Sequence, residues 1–114
     1  MPDSHAHKYK FRNIALDREG FLLNLSDWSP QVAEQLAVAN GIHLHDPHWE
    51  VIHLVREFYR QHDLSPPVRV IVKLLRNELG PGKGRSIYLM KLFGGSPGKV
   101  INKISGLPRP TNCF

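Results

Sequence analysis

The sequence has few of the residues on which covalent chemistry or membrane association depends. Its 114 residues include a single cysteine, Cys113, which excludes a disulfide within one chain and favours a reducing cytoplasm. No apolar run approaches the length of a membrane span, and residues 1–5 lack the layout of a signal peptide. We therefore expect a cytoplasmic protein with no membrane partner.

Acidic residues are also scarce. The chain has 15 Lys and Arg residues against 10 Asp and Glu residues, so its formal net charge is +5 before any charge on its seven histidines. This excess favours acidic partners, nucleic acid included, but does not determine specificity. The remaining composition, 41% hydrophobic and 22% charged, is typical of globular proteins, and the length predicts one domain over residues 1–114.

The most distinctive stretch lies at the C-terminal end. It reads Gly106, Leu107, Pro108, Arg109, Pro110, Thr111, Asn112, Cys113 and Phe114. Its two prolines lack a backbone N–H, fix φ and push the residue before each of them toward an extended conformation, so neither a helix nor a central strand can continue here. With Gly106 as a hinge, residues 106–114 are predicted to form a mobile, extended arm. At about 3.1 Å per residue, this arm would carry Cys113 roughly 25 Å from the hinge.

The chemistry open to Cys113 is that of an isolated thiol. No histidine or acid accompanies it in the sequence, so it is not a self-contained hydrolase site. A thiolate is well suited to attack another sulfur, and an inert thiol at a loose chain end is the alternative. The Phe114 carboxylate is a like charge that opposes ionisation, and Arg109 offsets it in part. We expect a thiol that becomes reactive when the arm enters a cationic pocket, on this chain or on a partner.

The rest of the chain predicts an α+β fold. Residues 1–7 are polar and are expected to be loose. Residues 8–25 contain short apolar runs around a Gly-containing turn, which predicts a small antiparallel β-hairpin or meander. Residues 29–105 predict an array of about five helices packed against that sheet. The helix ranges are 30–40, 47–62, 66–79, 86–93 and 97–105.

Proline, serine and glycine mark the ends of these helices. A capping residue followed by proline predicts the start of four helices, Ser86 predicts the cap of another, and glycines predict where helices stop. The pairs are Ser29-Pro30, Asp46-Pro47, Ser65-Pro66 and Ser96-Pro97, and the glycines are Gly41, Gly80, Gly94 and Gly106. The wide apolar face of residues 47–62 predicts that this helix forms the centre of the core.

Two further motifs do not meet the requirements of ligand sites. His43, His45, His48 and His53 lack the i, i+4 spacing of zinc-binding helices and have no cysteine nearby, so we predict solvated histidines and no metal. Residues 82–86 superficially resemble a phosphate loop but lack its first glycine and a Ser or Thr directly after the lysine. The N–H groups and cations of that turn are suited to bind an anion on a partner.

Arg69, Lys73 and Arg76 recur at i, i+4 and i+7 along the third predicted helix and form a basic stripe. Three interpretations are open. The stripe is an ordinary solvated face, the recognition helix of a helix-turn-helix, or, with Lys83 and Arg85, a docking face for tRNA-bound machinery or an acidic partner. The same stripe would also suit the resting arm. Aromatic residues that could stack on bases do not alternate with these cations, which weakens direct binding to single-stranded RNA.

The segment ISGLPRPTNCF resembles the C-terminal arm of the TusE/DsrC family of sulfur-relay proteins. Three more segments are similar to family blocks in the same order, and together the resemblance covers roughly nine-tenths of the chain. They are DREGFLLNLSDWS, HWEVIHLVREFYRQHDLSPPVRVIVKLL and KGRSIYLMKLFGGSPGK. The resemblance implies the same small α+β fold.

The resemblance also implies a role for the arm. Cys113 would accept sulfane sulfur as a transient persulfide, with no other cofactor, and residues 106–112 would present it. The upstream partner would be a donor complex of the TusBCD or DsrEFH type. The downstream partner would be the thiouridylase that makes 2-thiouridine at the tRNA wobble position, with indirect contact to tRNA. The protein would be a sulfurtransferase-type carrier rather than a self-contained enzyme.

One position departs from part of the family. The DsrC branch has a second cysteine about eleven residues before the last one, where this chain has Asn102. A disulfide cycle within one chain is therefore impossible, which favours the single-cysteine TusE branch. Two alternatives stay open: a DsrC-like carrier or redox partner in dissimilatory sulfur metabolism, working with sulfite reductase or in sulfur oxidation, and a helix-turn-helix nucleic-acid-binding regulator.

Overall fold

Five α-helices account for most of the chain that the structure, a computed structural model, describes: residues 14–110. Their positions follow from local signals, since each helix begins at or near a proline or serine. The helices are α1 (Pro30–Ala39), α2 (Asp46–His62), α3 (Val68–Leu79), α4 (Ser86–Phe93) and α5 (Pro97–Ile104). Each observed boundary lies within two residues of the predicted one.

The predicted β-hairpin packed on the helices is wrong. Between residues 14 and 110 there is no strand, and pairing is limited to one isolated antiparallel bridge between Leu16 and Leu22. The Asp17 carboxylate holds the turn between them by accepting two of its backbone N–H groups. Pairing stops there because the Asn24 side chain caps a 3₁₀ helix at Leu25–Asp27, which turns the backbone out of the extended conformation.

Two segments lie outside the described residues. Residues 1–13 include the predicted loose start and the first part of the predicted hairpin, and residues 111–114 include Cys113. Within residues 14–110 the fold is therefore helical rather than α+β. No helix in that range has both the length and the apolar character needed to cross a membrane.

The start of α3 differs from the prediction in a way that matters for the arm. Pro67, not Ser65, is the residue before the helix, because a residue followed by proline is kept out of the helical region and Pro66 is followed by Pro67. The Ser65 hydroxyl, which makes no cap, instead donates to the Pro108 carbonyl at 2.6 Å. A residue predicted to act locally therefore contacts a segment 43 positions away.

The start of α2 uses histidines rather than Asp46. His45 is the N-cap residue, and Nδ1 of the His48 ring accepts the His45 N–H at 3.1 Å. The other ring nitrogen therefore carries the proton and donates to the Leu92 carbonyl at 3.0 Å. Burial lowers the pKa of His48, which favours this neutral form. The prediction of a solvated histidine is wrong for His48.

The remaining predicted caps gave mixed outcomes. The Ser29 hydroxyl accepts the Val32 N–H at 3.2 Å and caps α1 as predicted. Ser96 precedes α5 but makes no side-chain cap. Arg85, rather than Ser86, precedes α4, so the prediction of a serine cap there is wrong.

α5, rather than α2, is the helix around which the others are arranged. It packs against all four other helices, and its Ile101 and Ile104 side chains are completely buried. α2 contributes a buried row that includes Ile52. Each such aliphatic side chain contributes about 1.5–3 kcal/mol through removal from water. The C-terminal end of α5, from which the arm continues, is therefore held by the core.

Asn102 is the polar exception on the buried face of α5. Its side chain is completely buried, and Nδ2 donates to the carbonyls of Pro66 at 2.9 Å and Gly98 at 2.8 Å. The first of these bonds joins α5 to the segment that leads into α3. Asn102, where the resemblance to the DsrC branch implies a second cysteine, is thus a structural residue in this chain.

We predict that Asn102→Ala lowers the free energy of unfolding by about 1–3 kcal/mol, because the buried Pro66 carbonyl loses its hydrogen-bond donor. Urea denaturation measures this loss. The matched control is Asn77→Ala on the exposed side of α3, expected to change stability by less than about 0.5 kcal/mol. Equal effects of the two substitutions would contradict the role given to Asn102.

Candidate functional site

The described part of the arm, residues 106–110, begins at a turn that caps the C-terminal end of α5. Gly106 has φ +75°, its N–H donates to the Lys103 carbonyl at 3.1 Å, and the Leu107 N–H donates to the Asn102 carbonyl at 3.0 Å. This is the pattern of a Schellman motif, in which glycine takes the left-handed position. A Cβ at Gly106 would lie 2.2 Å from Cδ1 of Trp28. Gly106 is therefore packed against an indole and is not a free hinge.

Trp28 and Arg56 hold the last carbonyl groups of α5. Nε1 of Trp28 donates to the Ile104 carbonyl at 2.9 Å, and Nη1 of Arg56 donates to the Ser105 carbonyl at 2.7 Å. The Arg56 guanidinium also lies 3.7 Å from the centre of the Trp28 ring, within cation–π range. Burial lowers the pKa of Arg56, but a guanidinium stays charged at neutral pH. The base of the arm is thus fixed by two side chains that are themselves in contact.

The arm stays on the body of the protein after Gly106. Leu107 is 3% exposed within the core cluster, the Pro108 carbonyl accepts the Ser65 hydroxyl, and Pro110 is buried. Arg109 forms an ion pair with Glu19. The sequence leaves open whether the arm rests docked or free, and residues 106–110 are docked on the body.

This anchoring shortens the reach of the thiol. Cys113 lies outside the described residues, three positions beyond Pro110. A chain of three residues spans at most about 10 Å. While residues 106–110 keep their contacts, the thiol is therefore confined to the neighbourhood of Pro110, instead of reaching roughly 25 Å from Gly106 as a free arm would. A partner must approach that part of the surface, or release the arm, to meet the sulfur.

Glu19 is the acidic residue that fastens the arm. It pairs with Arg109, and its Oε1 lies 3.3 Å from Nζ of Lys99 on α5. The hydrogen bond from Arg109 lowers the pKa of Glu19, and the same pairing raises the pKa of Arg109. Both groups are therefore charged at neutral pH, and acid breaks the pair by protonating Glu19.

A cavity of about 540 Å³ lies beside the anchored arm, between Leu107 and α2. Its charged lining residues are Arg56, Glu57, Arg60 and Asp63. Arg60 is paired with Glu57, and Arg56 is bonded to the end of α5. The positive and negative groups balance, so this cavity is not the cationic pocket expected to activate the thiol.

The five cations predicted to form a docking face have different surroundings. Lys83 pairs with Glu50 at 2.8 Å, and Nη2 of Arg76 donates to the Gly84 carbonyl at 3.1 Å. Arg69, Lys73 and Arg85 are exposed. The described arm rests on Ser65 and Glu19 rather than on the stripe. The docking role of these five residues stays a prediction.

The other histidines do not form a site. His43 and His45 are exposed, and His53 stacks on Trp49 with ring centres 5.8 Å apart. Among residues 14–110, no group of three or more His, Cys, Asp or Glu side chains is placed to hold a metal ion.

Sequence reasoning missed the residues that fix the arm: Trp28, Arg56, Ser65 and Glu19. Each acts across a long sequence separation, from 43 positions for Ser65 to 90 for Glu19. One signal was available, since the indole N–H of a partly buried tryptophan normally needs an acceptor. It could indicate that Trp28 has a partner but not which one.

The chain matches the family model described as "DsrC like protein" over residues 8–114, which includes Cys113. The chain belongs to the DsrC-like family. Two similar curated relatives are both named sulfurtransferase TusE. That of Pectobacterium atrosepticum is 43% identical over 107 residues, covering 94% of this chain and 98% of the relative. That of Sodalis glossinidius is 46% identical over 101 residues, covering 89% and 94%.

Solved structures of DsrC proteins are also similar to this chain. The NMR structure of Allochromatium vinosum DsrC has a TM-score of 0.80 and 42% identity, covering 89% of this chain and 90% of the other. The crystal structure of the oxidized gamma-subunit of dissimilatory sulfite reductase (DsrC) from Archaeoglobus fulgidus has a TM-score of 0.78 and 36% identity, covering 89% and 92%. Together, these relatives support a sulfur-carrier role.

We predict that Gly106→Ala destabilises the protein by about 1–3 kcal/mol more than Gly41→Ala. Both glycines have positive φ, at +75° and +77°, and close the same hydrogen-bond pattern at a helix end, so both substitutions carry a similar backbone strain. Only Gly106 faces Trp28, whereas no atom lies within 4 Å of a Cβ added at Gly41. Thermal unfolding of the two variants separates the effects. Equal losses would show that the packing against Trp28 does not hold the arm.

Proposed function

We propose that this protein carries sulfur as a persulfide on Cys113 and relays it within a tRNA 2-thiouridine pathway. The observation that carries this proposal is the family match, which extends through Cys113 and includes relatives named sulfurtransferase TusE that are 43–46% identical. The lone thiol suits this role because thiolates exchange sulfur with other sulfur centres. The reaction would take place in the reducing cytoplasm, where a free thiol persists.

The transfer is balanced without an external oxidant. The Cys113 thiolate attacks the terminal sulfur of a donor persulfide, a new S–S bond forms, and the old S–S bond breaks to release the donor as a thiolate. The oxidation level of the transferred sulfur is unchanged. We propose a TusBCD- or DsrEFH-type complex as the donor and the tRNA thiouridylase as the acceptor. The persulfide is then a transient cargo and not a resident cofactor.

The arm supports this role through its position. Residues 106–110 are fixed to the body, and Cys113 follows three positions after buried Pro110, so at most about 10 Å of chain separates it from a fixed point. Asn102 gives the thiol no cysteine partner in the same chain. A sulfur placed on Cys113 therefore leaves by transfer to another molecule rather than by an intramolecular disulfide.

A second candidate is a carrier in dissimilatory sulfur metabolism. The observation that favours it is the likeness to the Archaeoglobus fulgidus protein, whose structure is described as the gamma-subunit of dissimilatory sulfite reductase. Asn102 weighs against a redox cycle of the two-cysteine type, because it makes two buried hydrogen bonds and supplies no thiol. Complementation in cells separates the two candidates.

We predict that incubation with a persulfide-loaded donor raises the mass of the protein by one sulfur atom, and that a thiol reductant removes it. Cys113→Ser should show no gain, because a hydroxyl does not form a persulfide. Intact-protein mass spectrometry makes the measurement.

Expressed in cells that lack their own TusE, the unaltered protein should restore 2-thiouridine in tRNA and Cys113→Ser should not. Restoration by Cys113→Ser would refute the carrier role, and sulfur loading without restoration would favour the dissimilatory candidate.

A further inference from the structure

The positive charge of the chain is concentrated in its second half. Residues 64–114 contain nine of the 15 Lys and Arg residues but only one of the 10 Asp and Glu residues, Glu78. The first 63 residues therefore carry more acids than Lys and Arg together. The excess of +5 is a property of α3, α4, α5 and the arm rather than of the whole surface.

Part of this charge is already neutralised inside the protein. Lys83 pairs with Glu50, and both Lys99 and Arg109 pair with Glu19. By contrast, within residues 14–110 no acidic side chain forms an ion pair with Arg69, Lys73, Arg76, Arg85 or Lys91. Five of the described cations that lack an ion pair thus fall on α3, on α4 and on the residue before α4.

The structure brings the two groups of cations together. Gly84 lies directly against α3, because a Cβ there would be 2.4 Å from Cα of Arg76, and the Gly84 carbonyl accepts a hydrogen bond from Arg76. Arg85 follows Gly84 and precedes α4. We call Arg69, Lys73, Arg76 and Arg85 the basic face.

An apolar groove adjoins the basic face. Ile87 and Met90, three positions apart on α4, are 52% and 43% exposed. Beside Met90 lies a groove of about 290 Å³ whose lining includes Val68, the neighbour of Arg69, and Gly98 of α5. Exposed apolar side chains next to a groove and rimmed by charge are typical of a protein interaction site.

We propose that the basic face and the groove beside Met90 form a docking surface for an acidic segment of a sulfur-relay partner protein, which places an apolar side chain in the groove. This proposal rests on the proposed function for the identity of the partner as a relay protein. The charge complementarity and the apolar groove specify its chemistry. Nucleic acid fits this surface less well, because it would leave the groove unfilled. No exposed aromatic residue alternates with the cations of the basic face, so a base would have no ring there on which to stack.

The surface is close to the site from which sulfur is delivered. Ser65, which holds the Pro108 carbonyl, lies four positions before Arg69, and the buried end of the described arm shares a small cavity with Leu64. A partner seated at the N-terminal end of α3 therefore lies beside the anchored arm. Docking would bring the reactive centre of the partner within the short reach of Cys113.

The test compares loading from an enzyme with loading from a small molecule. Sulfur uptake on Cys113 is measured at low ionic strength from a persulfide-loaded TusBCD-type complex and from inorganic polysulfide. The ratio is the rate of uptake from the complex divided by the rate of uptake from polysulfide. Arg69→Glu and Arg85→Glu should each lower the ratio about tenfold, because a rim charge acts mainly on association. The reduction should shrink at high salt. The matched control is Arg18→Glu, the same charge change on an exposed cation outside the surface, which should leave the ratio unchanged.

The groove is tested in the same assay with Met90→Ser, against Val38→Ser on α1, which is 58% exposed. Only Met90→Ser should lower the ratio. The proposal is overturned if Arg69→Glu and Arg18→Glu behave alike, if Met90→Ser has no effect, or if Arg69→Glu weakens tRNA binding and leaves the ratio intact. Failure of the unaltered protein to load from either source would instead refute the carrier function, so the two failures are distinguishable.

Discussion

The carbonyl groups at the end of α5 are held by two side chains from distant parts of the chain, and the placement of the arm depends on these bonds. A helix leaves its last carbonyls without partners, and here Trp28 satisfies Ile104 while Arg56 satisfies Ser105. The positive charge of Arg56 also suits the negative end of the helix dipole. Gly106 also packs against the Trp28 side chain. Trp28 therefore both satisfies the end of α5 and determines the direction in which residues 106–110 leave that helix.

Asn102 connects this packing to the chemistry of the lone thiol. Its amide donates two hydrogen bonds, to the carbonyls of Pro66 and Gly98, from a completely buried position. A cysteine could not replace both, since a thiol is a single weak donor. The position at which the resemblance to the DsrC branch implies a second cysteine therefore serves the fold in this chain, where its side chain joins α5 to the segment that leads into α3.

The helices could be predicted from the sequence because their signals are local: proline and serine at the starts, glycine at the stops, within two residues in every case. The lack of a sheet in residues 14–110 could not be predicted. The alternation of apolar residues near Leu16 and Leu22 is the same whether a strand continues or the Asn24 side chain starts a 3₁₀ helix. The anchoring of the arm was also out of reach. Ser65 has the local pattern of a cap, and only the folded chain shows that its hydroxyl binds Pro108 instead.

The anchored arm also changes where the reactivity of Cys113 can come from. Arg109 was expected to offset the Phe114 carboxylate, but its charge is already paired with Glu19, which lies near Lys99 as well. The cavity beside the arm has balanced charges and offers no cationic pocket. The basic face carries uncompensated cations, and the reactive centre of a partner is a second source of the positive potential that favours a thiolate. An acidic partner segment on the basic face would neutralise the first source, so in the docked complex the cation beside the thiolate would come from that reactive centre.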